Sequence, residues 1–327
     1  MSAPSDVNEI YLSSSPHISS ALTTQKIMCT VVLSLLPLCI FGVVLFGINA
    51  FLTLLITSVS SVVFEFLFRK LTKQPVRSSD CSALVSGLML GLVLPPELPL
   101  WILMIASFVS IVIAKEFFGG LGANIFNPAL AGRAFLFVSF PKLLGTWKNP
   151  SFVIDTVTTS TDAISSATPL ALGENSVSII DLFLGTTGGC IGETSALLIL
   201  VAFIFLVFTK IIDWRAPLAM ILTVVTFGWL FSGENGICSG NVLFELMSGG
   251  LLFGAVFMTT DYATTPVTKK GRIIFGFGCG LITALIRKFS GYPEGVMFSI
   301  LIMNTLVPFL NKLTGRIYGT SKRGASK

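Results

Sequence analysis

Charge is what this chain has least of. Asp, Glu, Lys and Arg make up 11% of its 327 residues, against roughly 25% in soluble domains. Long polar stretches are equally scarce, so no extramembrane enzyme domain fits between the apolar runs. The one histidine, His17, stands in the N-terminal segment, which leaves no pair to hold zinc or haem among apolar helices. Cys29, Cys39, Cys81, Cys190, Cys238 and Cys279 are scattered, with no Cys-x-x-Cys pair. Disulfide frameworks, c-type haem attachment and compact iron–sulfur ligation therefore lack support, and no metal site is expected. No Gly-x-x-x-x-Gly-Lys-Ser/Thr stretch is present, so nothing resembles an ATPase. No Lys or Arg precedes Lys26; the first 25 residues read as neither signal peptide nor lipidation signal, and the first apolar run is expected to direct insertion.

What is there is apolar. Hydrophobic residues are 53% of the chain and the mean hydropathy is +0.87. A helix needs about 20 such residues to cross roughly 30 Å of hydrocarbon, which makes this an all-α polytopic membrane protein of about ten spans. The spans are read at 27–46, 50–68, 81–94, 100–118, 129–140, 196–212, 217–232, 242–258, 273–288 and 296–310. The third is short enough to be tilted or broken, and 177–187 is apolar but too short to cross. Two five-span halves, 27–140 and 177–311, are expected, joined by an extracytoplasmic loop at 141–176 and inverted relative to one another. A tail at 1–26 and a basic tail at 312–327 lie in the cytoplasm. On this topology 17 of the 21 Lys and Arg residues are cytoplasmic, Arg133 among them, as the positive-inside rule requires. The net charge of +5 is thus explained by topology, and nucleic acid is set aside.

Four polar stretches break the apolar pattern. Thr161 to Pro169 is a hydroxyl-rich loop on the outer side, a pattern that ordinary surface loops share. Gly119 to Arg133 combines the glycines at 119, 120 and 122 with Asn124 and Asn127, and Pro128 is placed to begin the fifth span. Read structurally, it is an interfacial turn with Arg133 snorkelling to the surface. Gly188 to Ser195 is a glycine turn with Thr194 or Ser195 as N-cap, or a helix start suited to a phosphate or a carbonyl-bearing ring. Thr259 to Arg272 is a polar inner loop. Among acids near the spans, Glu65 stands four residues before Arg69 as a helix pair. Glu245 and Asp261 are the candidates for an ion path or a cofactor contact.

Taken together these stretches resemble a known family. Ser15-Pro16-His17-Ile18, Phe126-Asn127-Pro128-Ala129-Leu130, Thr260-Asp261 with Thr265-Pro266-Val267-Thr268, and Gly291-Tyr292-Pro293-Glu294-Gly295 are similar to the RnfD family, the D component of the Rnf ion-translocating electron transport complex. The layout is shared by the B component of the sodium-pumping NADH:quinone reductase, whose N-terminal region is usually longer. The resemblance implies a membrane component, in the bacterial cytoplasmic membrane, of a ferredoxin:NAD oxidoreductase, working with the other Rnf subunits to move Na⁺ or H⁺. It further implies FMN joined to Thr168 as a phosphoester by a flavin transferase, and a non-covalent riboflavin near Asn124, Asn127 and Arg133. Asp162, Ser165, Ser166 and Ala167 would flank the acceptor and present it. Where the family usually has Gly, this chain has Ser166, whose Cβ restricts positive φ. Two readings from other classes stand beside this one: a solute transporter or channel without flavin, and a structural scaffold for flavoprotein partners.

Overall fold

The computed structural model describes residues 23–75, 78–145, 147–148, 165–166, 170, 178–231, 240–290 and 294–315. Helices α1 (Thr24–Phe46) and α2 (Ile48–Leu71) form a hairpin through Gly47, whose φ of 71° suits only glycine. Thr23 caps α1, and Arg69 and Lys70 in the last turn of α2 meet the negative end of its dipole. After α3 (Ser82–Leu92), a proline turn leads into α4 (Leu100–Phe108). That helix widens into a π turn at Val109–Ile113 and closes with a tight turn at Glu116–Phe118. Helix α5 (Pro128–Ser139) and the single turn α6 (Pro141–Leu144) follow. The second part comprises α7 (Ile179–Leu184), α8 (Ala196–Phe208), α9 (Arg215–Phe231), α10 (Val242–Met247), α11 (Leu251–Phe253), α12 (Lys269–Phe289) and α13 (Val296–Thr314). A second π turn, Gly254–Met258, continues α11. Such turns leave the regular hydrogen-bond ladder and cluster at functional positions.

Among the described residues, four helical stretches suffice by length and composition to cross a membrane: Thr24–Phe46, Ile48–Leu71, Leu100–Phe118 and Val296–Thr314. Four shorter apolar helices, α3, α5, α8 and α9, lie among them. Large apolar side chains such as Ile40, Phe51, Phe208 and Phe309 point outward, as hydrocarbon around the bundle would require. Inside, two helix pairs use the same device. Gly87 on α3 sits so close to α2 that a Cβ would lie 2.7 Å from Thr57 O; on α12, one at Gly276 would lie 2.3 Å from Ala216 O of α9. Small residues let these backbones touch.

The predicted start of the fifth span holds, with Pro128 at its first turn and Asn127 as its cap. Ser195 caps α8. The expected eighth span, 242–258, is not continuous: α10 ends at Met247, Gly249 takes φ 65°, and helix resumes at Leu251. The break has a physical cause. A Cβ at Gly250 would lie 2.4 Å from Glu193 Oε1, so the chain bends around a carboxylate. Arg287 donates to Ser248 O at 3.0 Å, satisfying a carbonyl that the break releases. At one turn of the bundle, Asp213 receives Arg215 and Arg272, each at 2.8 Å. Burial works to raise its pKa, but the backbone N–H of Arg215 and the two guanidinium groups outweigh it and hold the carboxyl below its ordinary value.

Candidate functional site

The two π turns lead straight into the polar parts of the molecule. The first delivers Lys115, which is 1% exposed although it carries a charge. Its Nζ donates to Glu65 Oε1 at 2.8 Å and to Ser82 Oγ at 2.6 Å. Beside it Arg69 donates through Nε and Nη2 to both oxygens of Glu116, at 3.1 and 3.2 Å. Glu65 lies 3.6 Å from Arg69, so the anticipated helix pair exists but is the longer of the two ion pairs made by Glu65. Two acids and two bases drawn from α2 and the end of α4 thus neutralise one another at one end of the bundle.

A second cluster surrounds Arg133 on α5. Its guanidinium donates to Glu193 Oε1 at 3.3 Å, to Cys190 Sγ at 3.5 Å, and to Glu294. Cys190 in turn donates to Val93 O at 3.0 Å, and Gly192 N–H to Leu92 O at 2.7 Å. The glycine turn before α8 is therefore stitched to the end of α3. This corrects the reading of Arg133 as a snorkelling cytoplasmic cation. It is buried and paired with Glu193 and Glu294, which the same topology assigns to the outer half, so it carries no topological information. The ligand atoms of Cys190, Glu193 and Glu294 lie within 4.8 Å of one another, yet the Arg133 guanidinium is already the cation among them.

The acids expected on an ion path differ in their surroundings. Glu245 is held by Arg287 at 2.8 Å, so its charge is matched. Asp261, just past the second π turn, accepts from Thr264 Oγ1 at 3.0 Å. It lines a cavity of about 240 Å³ with Asp213, Thr259, Thr260, Tyr262 and Arg272. The Tyr262 hydroxyl donates to Ile211 O and fixes one wall.

Asn124, Asn127 and Arg133 do not converge on one space. Asn124 donates to Phe126 O at 3.1 Å, and Asn127 Oδ1 accepts from the N–H groups of Ala129 and Leu130 at 3.1 and 3.3 Å. With its amide oriented to satisfy its neighbours, Asn304 of α13 accepts from Asn127 N–H and donates to Thr264 O, both at 3.2 Å. That residue ties the 119–127 loop to the loop carrying Asp261. The cavity at Arg133 holds about 30 Å³, room for water but not for a flavin ring. Because Asn127 satisfies two of the free N–H groups of α5, Asn127→Ala is expected to cost about 1 kcal/mol. A thermal melt of the purified chain in detergent would register this as a lower midpoint with an unchanged helical spectrum.

Thr168, Asp162 and Ala167 lie outside the described residues, as do His17 and Gly291 to Pro293. The strand β2 (Ser165–Ser166) pairs antiparallel with β1 (Trp147–Lys148), Ser166 opposite Trp147. Ser166 is extended and does not have positive φ, so the serine in place of glycine is not strained there. On the other flank, a Cβ on Gly249 would lie 3.9 Å from Leu170 Cδ2 and 3.5 Å from Arg287 Nη2.

A family model described as NQR2, RnfD, RnfE matches residues 11–319. The chain belongs to this family. It is 41% identical over 329 residues to the D component of the proton-translocating ferredoxin:NAD(+) oxidoreductase complex of Clostridium ljungdahlii, covering 96% of this chain and 98% of that protein. With the Na(+)-translocating counterpart of Acetobacterium woodii it shares 43% over 326 residues, 97% of this chain and 98% of the relative. The D component of the ion-translocating oxidoreductase complex of Stutzerimonas stutzeri is 38% identical over 332 residues, covering 92% and 94%.

Proposed function

We propose that this protein is the RnfD component of an ion-translocating ferredoxin:NAD oxidoreductase complex of the bacterial cytoplasmic membrane, carrying FMN on Thr168. The observation that carries the first part is similarity along almost the whole length to relatives so named. The topology goes with it: about ten spans in two inverted halves, 27–140 and 177–311, both tails cytoplasmic, and the 141–176 loop outside. Its partners are the other subunits of the complex and a flavin transferase.

The reading at Thr168 is supported by its two flanks. Ser165 and Ser166 are held in a strand pair. Leu170 is seated beside Gly249, next to the ion-paired Arg287. A phosphoester needs an aliphatic hydroxyl, which Thr168 supplies two residues beyond the extended backbone of Ser166. Bound there, the flavin supplies electron transfer in one- or two-electron steps, while the protein positions it and tunes it. Riboflavin, the second flavin that the resemblance implies, suits another cavity better than the space at Arg133. That cavity is about 340 Å³ and is lined by Ile27, Met28, Leu121, Gly122 and Tyr262, beside the loop that bears Asn124.

Of the two ion-path acids, we favour Asp261, because it faces a polar cavity, whereas Glu245 is committed to Arg287. Relatives named for H⁺ and for Na⁺ are both close, so the identity of the ion rests on finer features than the overall sequence.

The experiment is done on membranes containing the whole complex. With reduced ferredoxin and NAD⁺, wild type is expected to form NADH and acidify or load vesicles with Na⁺. Thr168→Val is expected to bring ferredoxin-dependent NADH formation to background with the complex still assembled. Undiminished turnover in the variant would favour the scaffold reading, and transport of a solute without partners would favour the transporter.

A further inference from the structure

Sequence spacing gives no reason to pair any two cysteines, but the fold brings one pair together. Cys29 is in the second turn of α1, and Cys81 stands immediately before α3, 52 residues later. Their sulfur atoms are 4.0 Å apart. Cys29 is exposed and Cys81 partly so, whereas Cys39, Cys190 and Cys279 are buried. Cys29 and Cys81 stand at the ends of their spans, close in sequence to Lys26 and Asp80, where an aqueous solute reaches them, whereas those three are sheltered from one.

Cys81 occupies its position at a conformational cost. Its φ of 59° and ψ of 10° are left-handed, a region that residues with a Cβ seldom enter. Its side chain does not cap α3. Asp80 does related work nearby, accepting from Ser82 N–H and Ser82 Oγ at 3.0 and 2.9 Å. What the strained conformation provides is a thiol beside Cys29.

We propose that Cys29 and Cys81 form a reversible disulfide, made by exchange with a small-molecule disulfide, that fastens the start of α1 to the start of α3. The Cys81 thiolate attacks one sulfur of the small disulfide, forming a mixed disulfide and releasing one small thiolate. Cys29, deprotonated in turn, attacks the Cys81 sulfur and releases the second. Two protein thiols are oxidised, one small disulfide is reduced to two thiols, and the protons leave to solvent or to those thiolates. The sulfur atoms need to close from 4.0 Å to about 2.05 Å, a movement within reach of a helix end and a turn.

The link would bear on two described features. Thr24, Ile27 and Met28 form one wall of the 340 Å³ cavity, so fixing Cys29 fixes that wall. Ser82, next to Cys81, accepts from Lys115 in the buried charge cluster, so the same link steadies a partner of that cation. None of this depends on the flavin reading.

The test uses the full chain in its membranes, treated with oxidised glutathione, denatured, alkylated with N-ethylmaleimide and mapped by mass. In wild type two alkylation sites are expected to disappear, with a peptide pair joining Cys29 to Cys81 that dithiothreitol releases. Cys29→Ser and Cys81→Ser should each abolish the linked peptide. Cys81→Gly, which relieves the left-handed strain, should do so as well and guards against a folding defect in the serine variant. Full alkylation of both residues after oxidation, a link through any other cysteine, or a link between two chains would overturn the proposal.

Discussion

Arg133→Met is expected to destabilise the protein by about 3–5 kcal/mol, because it leaves two largely buried carboxylates without the buried cation that both face. Glu193 and Glu294 both point at this one guanidinium, and their side chains are 5% and 20% exposed. A methionine fills much of the same volume, so the loss is electrostatic and not a cavity. Arg133→Lys keeps the charge, but a single ammonium cannot span two carboxylates and the Cys190 sulfur as the planar guanidinium does; an intermediate loss is expected. The check is a mutant cycle on thermal stability in detergent. Arg133→Met combined with Glu193→Gln and Glu294→Gln should regain most of the loss. If the triple variant is as unstable as the single one, Arg133 acts through packing and the electrostatic explanation fails.

Lys115→Met is expected to have an effect of similar size, about 3–5 kcal/mol, at the cluster between α2 and the end of α4. Glu65 is 1% exposed, and its Oε2 has no hydrogen-bond partner among the described residues, so little is left to hold its charge once Nζ is gone. Arg69, at 3.6 Å, is already engaged by Glu116. Glu65→Gln in the Lys115→Met background should recover much of the stability, since an amide carries no charge to desolvate. Chemical denaturation of the purified chain would report both variants; equal midpoints for Lys115→Met and wild type would mean that water reaches this cluster.

Some of this architecture was legible in the residues themselves. Gly47 between two apolar runs, Asn127-Pro128 before another, and Ser195 after a glycine cluster are local signals, and each sits where its chemistry implies. The roles of Lys115 and Arg133 were not legible. Their partners stand 50, 60 and 161 residues away, and no spacing rule reaches that far. A cation in an apolar run reads as interfacial until its acid is found. The pairing of Cys29 with Cys81 was hidden for the same reason. At the eighth span the clue was present, since Ser248, Gly249 and Gly250 interrupt the run, but hydropathy alone reads through them. The π turns leave no periodic signature at all, because a single widened turn hardly changes the spacing of apolar residues.

The most direct measurement is made on the flavin attachment. The chain is co-expressed with a flavin transferase, run on a denaturing gel, examined for flavin fluorescence under ultraviolet light, and its peptides are mapped by mass, for wild type and Thr168→Val. A fluorescent wild-type band, with the added mass of FMN on the peptide containing Thr168 and a dark variant, is the expected result. A dark wild-type band with the transferase shown active on another substrate, or fluorescence that survives Thr168→Val, would contradict the assignment of Thr168 as the flavin carrier.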